Sequence, residues 1–302
     1  MRSPTATPVA VTPTRTSPAT LAIAWVGTLA LSSLLEVVLV DVMGIESPPM
    51  LWIWLALGAL LVGMAGAWAP ARPLRSYFIV MVAVIAAIYL LIPLLSRWAG
   101  VETGSGMAWV LANKTILFTV ALAMAGFLVV ALRQQPKDVF LTRGDLRAPS
   151  SVRLPGMRRP LHWGALGTIA TVLLFAGFAT QMWLDGAFPA DWLQRLLPVA
   201  PLVLVSAFFN AFGEEVIFRS GPLGLLHRIV GSTQAILMTS MWFGLAHYYG
   251  GTPEGPMGAL QAGALALLLG KAMIATKGLG WPLIIHIAMD VVVFASIAVA
   301  AT

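Results

Sequence analysis

Long apolar runs follow one another along almost the whole chain, separated by short polar or glycine- and proline-containing connections. A helix that spans a bilayer needs about 20 mainly apolar residues, because its backbone N–H and C=O groups must be satisfied within the segment. The candidates for such helices lie at residues 21–42, 51–69, 77–96, 108–132, 162–184, 196–218, 233–248, 258–276 and 281–300. The pattern predicts an all-α, polytopic membrane protein with about nine transmembrane helices.

The composition supports a membrane protein and excludes an ordinary soluble domain. Hydrophobic residues make up 59% of the chain and charged residues only 10%, whereas about 25% of the residues of a soluble domain are charged. The formal net charge is +6, but the basic residues lie between the apolar runs, where they orient the chain in the membrane. We therefore expect membrane lipids around the protein and no nucleic acid as a partner. The chain has no cysteine, which excludes disulfides and cysteine-based sites.

Lysine and arginine are distributed unevenly between alternate connections, and this predicts the orientation of the chain. Loops on the cytoplasmic side of a membrane carry an excess of these residues. With a cytoplasmic N-terminus, Arg97 and Arg195 fall outside. The inner side then receives Arg2, Arg15, Arg72, Arg75, Arg133, Lys137, Arg143, Arg147, Arg153, Arg158, Arg159, Arg228 and Lys277. Together with an Ala-, Gly- and Trp-rich composition, this distribution predicts a bacterial plasma membrane protein whose N-terminus is cytoplasmic.

The connection at residues 133–161 divides the chain into two helical parts. It is basic, holds four prolines and is the longest connection, so we interpret it as a cytoplasmic loop. Residues 1–20, rich in Pro, Thr, Ser and Ala, are predicted to form a disordered tail. Residues 21–132 would form the N-terminal transmembrane helices, and residues 162–302 a C-terminal helical unit that contains all four histidines.

Ionisable residues inside the C-terminal apolar runs form three groups. They are Glu214 and Glu215 with Arg219, then His247, then His286 with Asp290. A charged side chain in the bilayer costs roughly 2.5 to 3.5 kcal/mol on insertion scales, so such residues indicate a functional site. Arg219 is four residues after Glu215, which places the two on one helix face as an ion pair, while Glu214 points about 100° away. One carboxylate is thus held by arginine, and the other is free to handle protons.

Each group alone is also typical of structural residues, and the functional interpretation depends on their convergence. A lone histidine is more often a core residue than a ligand. His286 and Asp290, four residues apart, form either a polar contact between helices or a pair that orients an imidazole around a water or metal. Glu215 lies sixteen residues before Gly231 and His247 sixteen after it, so on antiparallel helices both reach one level, about 24 Å from the turn. His286 lies near the inner start of its run and reaches that level only through helix tilt or a deep entry loop.

The order and spacing of the three groups resemble the motifs of a known family. Glu-Glu-x-x-x-Arg at 214–219, Phe-x-x-x-His at 243–247 and His-x-x-x-Asp at 286–290 are similar to those of the CAAX-protease and bacteriocin-processing (CPBP) family of intramembrane endopeptidases, which includes the type II CAAX prenyl proteases. The resemblance covers residues 201–290. Two positions depart from the family pattern. Ser220 follows the arginine where glycine is more frequent, and aspartate stands at position 290 where asparagine is often found.

The resemblance implies an intramembrane endopeptidase that hydrolyses a peptide bond near the membrane, with a peptide or a membrane protein as its substrate. It implies catalytic roles for Glu214, Glu215, Arg219, His247, His286 and Asp290. Glu214 would activate the attacking water, with Glu215 and Arg219 supporting it. This agrees with the helix geometry, which leaves Glu214 as the unpaired carboxylate.

For the histidines, the resemblance implies that His247 shares in handling water or metal and that His286 with Asp290 stabilises the oxyanion. An ionised Asp290 donates no hydrogen bond, which leaves its part in that role open. The candidate metal ligands, which match a catalytic zinc set in number and type, are Glu214, His247, His286 and Asp290. The same groups can also hydrolyse a peptide without metal, by general-base catalysis. A divalent metal such as zinc therefore stays open, as does the choice between a metalloprotease and a glutamate-dependent protease.

Two other functions stay compatible with the sequence, namely a catalytically silent membrane scaffold of the same fold and an ion or solute transporter. The motifs His-Glu-x-x-His and Gly-x-Gly-Asp of other membrane proteases are absent. Glu36, Asp41 and Lys114 lie in or near N-terminal runs and could mark an ion path. We interpret them as interfacial side chains or as part of one interhelical pair, so the N-terminal helices are expected to hold no catalytic residue.

Overall fold

The computed structural model of the chain describes residues 16–152, 160–250 and 254–300. Regular structure in these residues is helical, and the described part contains no β-strand beyond an isolated bridge between Pro149 and His162. Its α-helices are α1 (Pro18–Ala30), α2 (Leu34–Val37), α3 (Met50–Ala67), α4 (Arg75–Ala86), α5 (Ile92–Trp98), α6 (Gly106–Gly126), α7 (Trp163–Leu184), α8 (Trp192–Leu196), α9 (Ala200–Glu214), α10 (Gly221–Val230), α11 (Ser232–Ala246), α12 (Gly255–Thr276) and α13 (Gly280–Ala300). The predicted all-α fold is confirmed.

Seven continuous helical stretches of the described chain are long and apolar enough to cross a membrane. They are Met50–Ala67, Arg72–Trp98, Gly106–Ala131, Trp163–Leu184, Trp192–Val230, Gly255–Thr276 and Gly280–Ala300. An eighth candidate is the pair Pro18–Ala30 and Leu34–Val42, which is bent by 59° at a short break. These stretches confirm a polytopic membrane fold. The remaining run, residues 233–248, corresponds to α11, whose 15 residues fall short of the roughly 20 of a typical span, so the count of nine stays a prediction.

Two segments predicted to lie outside the helices are described only in part. Most of the predicted disordered tail, residues 1–15, lies outside the described residues. The end of that tail already belongs to α1, which starts with Pro18, a residue suited to the first helical turn. Ser17 caps the helix, because its Oγ accepts a hydrogen bond from the backbone N–H of Thr20 at 3.0 Å. The basic residues outside the described part are Arg2, Arg15, Arg153, Arg158 and Arg159.

The N-terminal and C-terminal helices share one hydrophobic core. Leu31 after α1, Trp54 on α3 and Phe78 on α4 are buried in the same cluster as Trp242 and Phe243 on α11. The indole N–H of Trp242 also donates to the backbone carbonyl of Leu31 at 3.0 Å. The N-terminal helices therefore pack directly against α11, which leads to His247.

Small residues allow the C-terminal helices to approach one another closely. On α11, a Cβ at Gly244 would lie 3.0 Å from the Cα of Gly263 on α12. On α9, a Cβ at Gly213 would lie 2.7 Å from the side chain of Leu117 on α6. Contacts of this kind are typical of helix pairs in membranes, where close backbone approach takes the place of a hydrophobic driving force. They set the spacing of the helices that position the site.

The connection that precedes α7 returns to the turn between α12 and α13. The backbone N–H of Leu279 donates to the carbonyl of Thr142 at 2.8 Å, and the N–H of Asp145 donates to the carbonyl of Thr276 at 2.7 Å. Gly144 permits this approach, because its φ of +74° favours glycine and a Cβ there would collide with the backbone of the turn. The pairing fixes the start of α13.

Candidate active site

The helix that carries the two glutamates changes its hydrogen-bonding pattern at the site. α9 ends at Glu214, and Glu215–Ser220 form a π-helical segment before α10. Pro222 has no N–H to donate to the carbonyl four residues before it, and its ring crowds that carbonyl, so a wider turn is favoured there. Every residue of the segment is buried. The local sequence thus places a widened helical turn directly after Glu214.

Glu215 and Arg219 form the ion pair that their spacing predicts. Nη1 of Arg219 donates to Oε1 of Glu215, and the two side chains have only 2% and 0% of their surface exposed. The guanidinium also lies over the ring of Phe243, 4.2 Å from the ring centroid, a cation–π contact that strengthens when the cation is desolvated. Because charges buried this deeply are rare unless they are paired, each member of the pair depends on the other.

His286 on α13 contacts both glutamates. Its Nδ1 lies 2.7 Å from Oε1 of Glu215, and its Nε2 lies 3.5 Å from Oε2 of Glu214. Because a carboxylate only accepts, Nδ1 carries the hydrogen in the bond to Glu215. Oδ1 of Asp290 lies 3.8 Å from Nε2, which is beyond hydrogen-bonding distance. Glu215, rather than Asp290, therefore orients the imidazole.

Asp290 is held by a residue that the sequence interpretation missed. Nδ2 of Asn210 on α9 donates to Oδ2 of Asp290 at 2.9 Å, and both side chains are buried. Asn210 lies four residues before Glu214, so the two share a helix face. This spacing of four residues from Glu214 is the feature of the sequence that could have identified Asn210. A search limited to ionisable side chains misses Asn210, because its amide is uncharged.

His247 directly follows α11 and completes the group. Its Nδ1 lies 2.9 Å from the backbone carbonyl of Phe243. A carbonyl only accepts, so Nδ1 carries the hydrogen and Nε2 of the neutral ring has a free lone pair. The half-buried ring lines the same cavity as Glu214 and His286. The structure thus brings together the three groups that lie apart in the sequence.

The cavity has a volume of about 600 Å³ and lies between α6, α7, α9, α11, α12 and α13. The polar and ionisable side chains in its wall include Asn210, Glu214, His247, His286 and Asp290, together with Lys114, Gln181 and Gln261. Glu215 and Arg219 are not lining residues and act on the cavity through His286. Much of the remaining wall is apolar. A mainly apolar cavity with a few converging polar groups is the usual form of a ligand-binding or active site.

Lys114 on α6 also lines the cavity, a position that the sequence did not predict for it. Its Nζ lies 5.5 Å from the ring centroid of Phe294, another lining residue. The other N-terminal candidates, Glu36 and Asp41, are not among the lining residues. These three ionisable groups therefore do not share one cavity within the described part of the chain.

The geometry does not present a ready metal site. The candidate ligands Glu214, His247, His286 and Asp290 match zinc in type. Across residues 16–152, 160–250 and 254–300, however, no group of three or more His, Asp or Glu side chains is arranged to hold a metal ion. Nδ1 of each site histidine is engaged in a hydrogen bond, which leaves the two Nε2 atoms. A histidine that binds a metal has the same arrangement, with one ring nitrogen hydrogen-bonded and the other on the ion. A divalent metal at this site therefore stays a prediction.

Residues 195–292 match the model of a protein family described as type II CAAX prenyl endopeptidase Rce1-like. The match covers about a third of the chain and contains all three motifs. No curated protein and no solved structure matches the chain. The resemblance predicted from the motifs is confirmed, and it supports a membrane protease that acts on peptides or proteins.

Proposed function

We propose that this chain, whose residues 195–292 match the model of the Rce1-like family of type II CAAX prenyl endopeptidases, hydrolyses peptide bonds with a water molecule activated by Glu214. The observation that carries the proposal is that Glu214, His247 and His286 line one cavity inside the helices. Placing ionisable groups within a membrane is costly, and this cost supports a chemical role for them.

Glu214 is the carboxylate best placed to accept a proton from water. Glu215 is engaged by both Arg219 and Nδ1 of His286. Glu214 is held less closely. Among the described residues, its ion-pair contact is to Nε2 of His286 at 3.5 Å, whereas Glu215 lies 2.7 Å from Nδ1 of the same ring. In the proposed reaction, Glu214 takes a proton from the water as the water oxygen bonds to the carbonyl carbon of the peptide. Nε2 of His247 holds the same water through its lone pair.

His286 stabilises the negative charge that develops on the peptide oxygen. When both ring nitrogens are protonated, Nδ1 donates to Glu215 and Nε2 donates to the oxyanion. Collapse of the tetrahedral intermediate breaks the C–N bond, and Glu214 returns its proton to the leaving amine. The products are one new carboxyl group and one new amine, and water is the co-reactant.

The apolar wall of the cavity supports a substrate with an apolar cleavage region. Leu173 and Phe178 on α7, together with Leu265 and Leu268 on α12, belong to this wall. Burial of apolar surface contributes about 25 cal/mol per Å², so these residues favour an apolar or lipid-modified peptide over a polar one. We propose a membrane-associated peptide or protein as the substrate class, which includes prenylated C-terminal segments.

Cleavage of a peptide library by the purified protein in detergent tests this function. Apolar peptides with and without a C-terminal lipid are incubated with the wild-type protein and with Glu214→Gln, and the products are identified by mass spectrometry. Glu36→Gln is the matched control, because it alters a carboxylate on an N-terminal helix outside the cavity wall. We expect the wild-type protein and Glu36→Gln to cleave peptides, and we expect Glu214→Gln to give no detectable product. If the folded wild-type protein cleaves no peptide, the protease function is rejected in favour of a catalytically silent membrane scaffold.

We further propose a bacterial plasma membrane protein with a cytoplasmic N-terminus, and reporter fusions test this orientation. Arg147 precedes α7 and Asp191 follows it, and α7 is long enough to span the membrane. A reporter active only in the cytoplasm is expected to function at Arg147, and one active only outside is expected to function at Asp191. Both positions reporting the same side would contradict the topology.

Removal of metal ions is expected to change the rate of cleavage by less than about two-fold, because no described group of side chains is arranged to hold a metal. The measurement is kcat/KM on one peptide before and after treatment with EDTA and with 1,10-phenanthroline. A loss that added zinc restores would contradict this expectation and would assign a metal to the Nε2 atoms of His247 and His286.

A further inference from the structure

We infer that Asn210 on α9 donates a hydrogen bond to the oxyanion of the proposed reaction, and that Asp290 positions the Asn210 amide for this role. The inference rests on the proposed function. It assigns a catalytic residue outside the three motifs, and it changes the role of the aspartate in the third motif.

The hydrogen-bonding capacity of the two side chains points to this assignment. An ionised Asp290 accepts hydrogen bonds and donates none, whereas the amide nitrogen of Asn210 carries two hydrogens. One of these hydrogens goes to Oδ2 of Asp290 at 2.9 Å. The other has no acceptor among the described residues, although Asn210 is only 5% exposed and lines the cavity. An N–H group is therefore available in the wall where a peptide oxygen would lie.

The position of Asn210 relative to the proposed base also fits the role. Asn210 lies four residues before Glu214 on one helix, so their Cβ atoms are about 5 to 6 Å apart on the same face. One peptide group can contact both, with its carbonyl carbon near the water held by Glu214 and its oxygen near the amide of Asn210. Oδ1 of Asp290 lies 3.8 Å from Nε2 of His286. Asp290 is therefore flanked by the two groups that would bind the oxyanion, Asn210 and His286.

The orientation of Asn210 depends on Asp290. Oδ1 of Asn210 is buried and has no hydrogen-bond partner among the described residues, so the bond to Asp290 is the contact that fixes the amide. A carboxylate also dictates which end of the amide faces it, because it accepts only from the nitrogen. In this chain the carboxylate lies on α13, at position 290, and the amide that it holds lies on α9, at position 210.

A set of exchange variants tests the inference. Asn210→Asp removes the donor, and Asn210→Leu removes it without adding charge; each is expected to lower kcat by about 10² to 10³, the effect of losing one oxyanion donor. Asp290→Asn keeps an amide on each helix and is expected to stay within about ten-fold of the wild-type protein. The double variant Asn210→Asp/Asp290→Asn puts the amide on α13, and its kcat is expected to exceed that of Asn210→Asp by at least about ten-fold.

Binding and stability measurements separate catalysis from structure. In the Glu214→Gln background, the Kd of an uncleaved peptide is expected to change by less than about three-fold on Asn210→Leu, because the oxyanion forms only in the transition state. Asn113→Asp on α6 is the control for introducing a carboxylate into a helix outside the cavity wall, and its kcat should stay near that of the wild-type protein.

Three results would overturn the inference. One is an exchanged double variant that is folded but no faster than Asn210→Asp. Another is a loss of peptide affinity and of Tm in Asn210→Leu that parallels the loss of kcat, which would make Asn210 a structural residue. In both cases the wild-type protein still cleaves peptides, so the proposed function stands. A wild-type protein that cleaves no peptide overturns the proposed function, and this inference falls with it.

Discussion

Glu214→Gln is expected to lower kcat by about 10² to 10⁴ while peptide binding persists, because general-base catalysis supplies a factor of this size. Glutamine keeps the shape of the side chain but its amide cannot take a proton from water at neutral pH. The contact between position 214 and Nε2 of His286, at 3.5 Å, can be kept in the variant, because the amide oxygen of glutamine also accepts hydrogen bonds. The measurements are kcat under saturating peptide and the Kd of the same peptide bound to the variant.

Two comparisons make this result specific. Glu36→Gln, which alters a carboxylate outside the cavity wall, should keep kcat within a few-fold of the wild-type value. His247→Ala should reduce kcat in the same way as Glu214→Gln, because it removes the second group that holds the water. An unchanged kcat in Glu214→Gln would reject this residue as the base and would require another group of the cavity to activate the water.

Contacts within one helix could be predicted from the sequence. A spacing of four residues places Arg219 beside Glu215 and leaves Glu214 on a different face, and the structure has this ion pair. The equal separation of Glu215 and His247 from the turn at Gly231 needs only the rise per residue of a regular α-helix. It stays a prediction, because Glu215–Ser220 in the same stretch is π-helical.

Contacts between distant helices could not be predicted in this way. His286 is hydrogen-bonded to Glu215, and Asn210 to Asp290, because of the relative rotation and axial offset of α9 and α13. The sequence carries no direct signal for these two quantities. The cavity position of Lys114 on α6 has the same origin, since a lone lysine in an apolar run is equally compatible with an interface.

The irregular parts of the helices also escaped prediction, for a physical reason. Proline inside a helix commonly ends or kinks it, but at Pro222 the chain continues from a buried π-helical segment, Glu215–Ser220, into α10. The break is avoided because a wider turn relieves the missing hydrogen bond at proline without ending the helix. The entry to α13 is fixed by pairing with Thr142 and Asp145, which belong to a loop far away in sequence. Such pairing follows from tertiary structure and leaves no periodic pattern.

Arg219→Met is expected to lower the free energy of unfolding by about 3 to 5 kcal/mol, because it leaves the buried carboxylate of Glu215 without its arginine partner. Arg219→Lys should recover only part of this loss. A lysine offers a point charge in place of a planar fork, and it loses the stacking that the guanidinium has over Phe243, 4.2 Å from the ring centroid. The measurement is the unfolding midpoint and folded yield in detergent, together with kcat of the folded fraction.

The matched control is Arg228→Met on α10, whose side chain is 40% exposed and lies 3.9 Å from Asp138. An exposed pair of this kind contributes about 0 to 1 kcal/mol, so the control should stay close to the wild-type stability. The double variant Glu215→Gln/Arg219→Met should be more stable than Arg219→Met alone, because no charge is then left buried without its partner. Its kcat should nevertheless stay low, since a glutamine at position 215 is a weaker acceptor for Nδ1 of His286. Equal stability of the double variant and of Arg219→Met would show that Arg219 stabilises the protein through packing and that its ion pair with Glu215 does not.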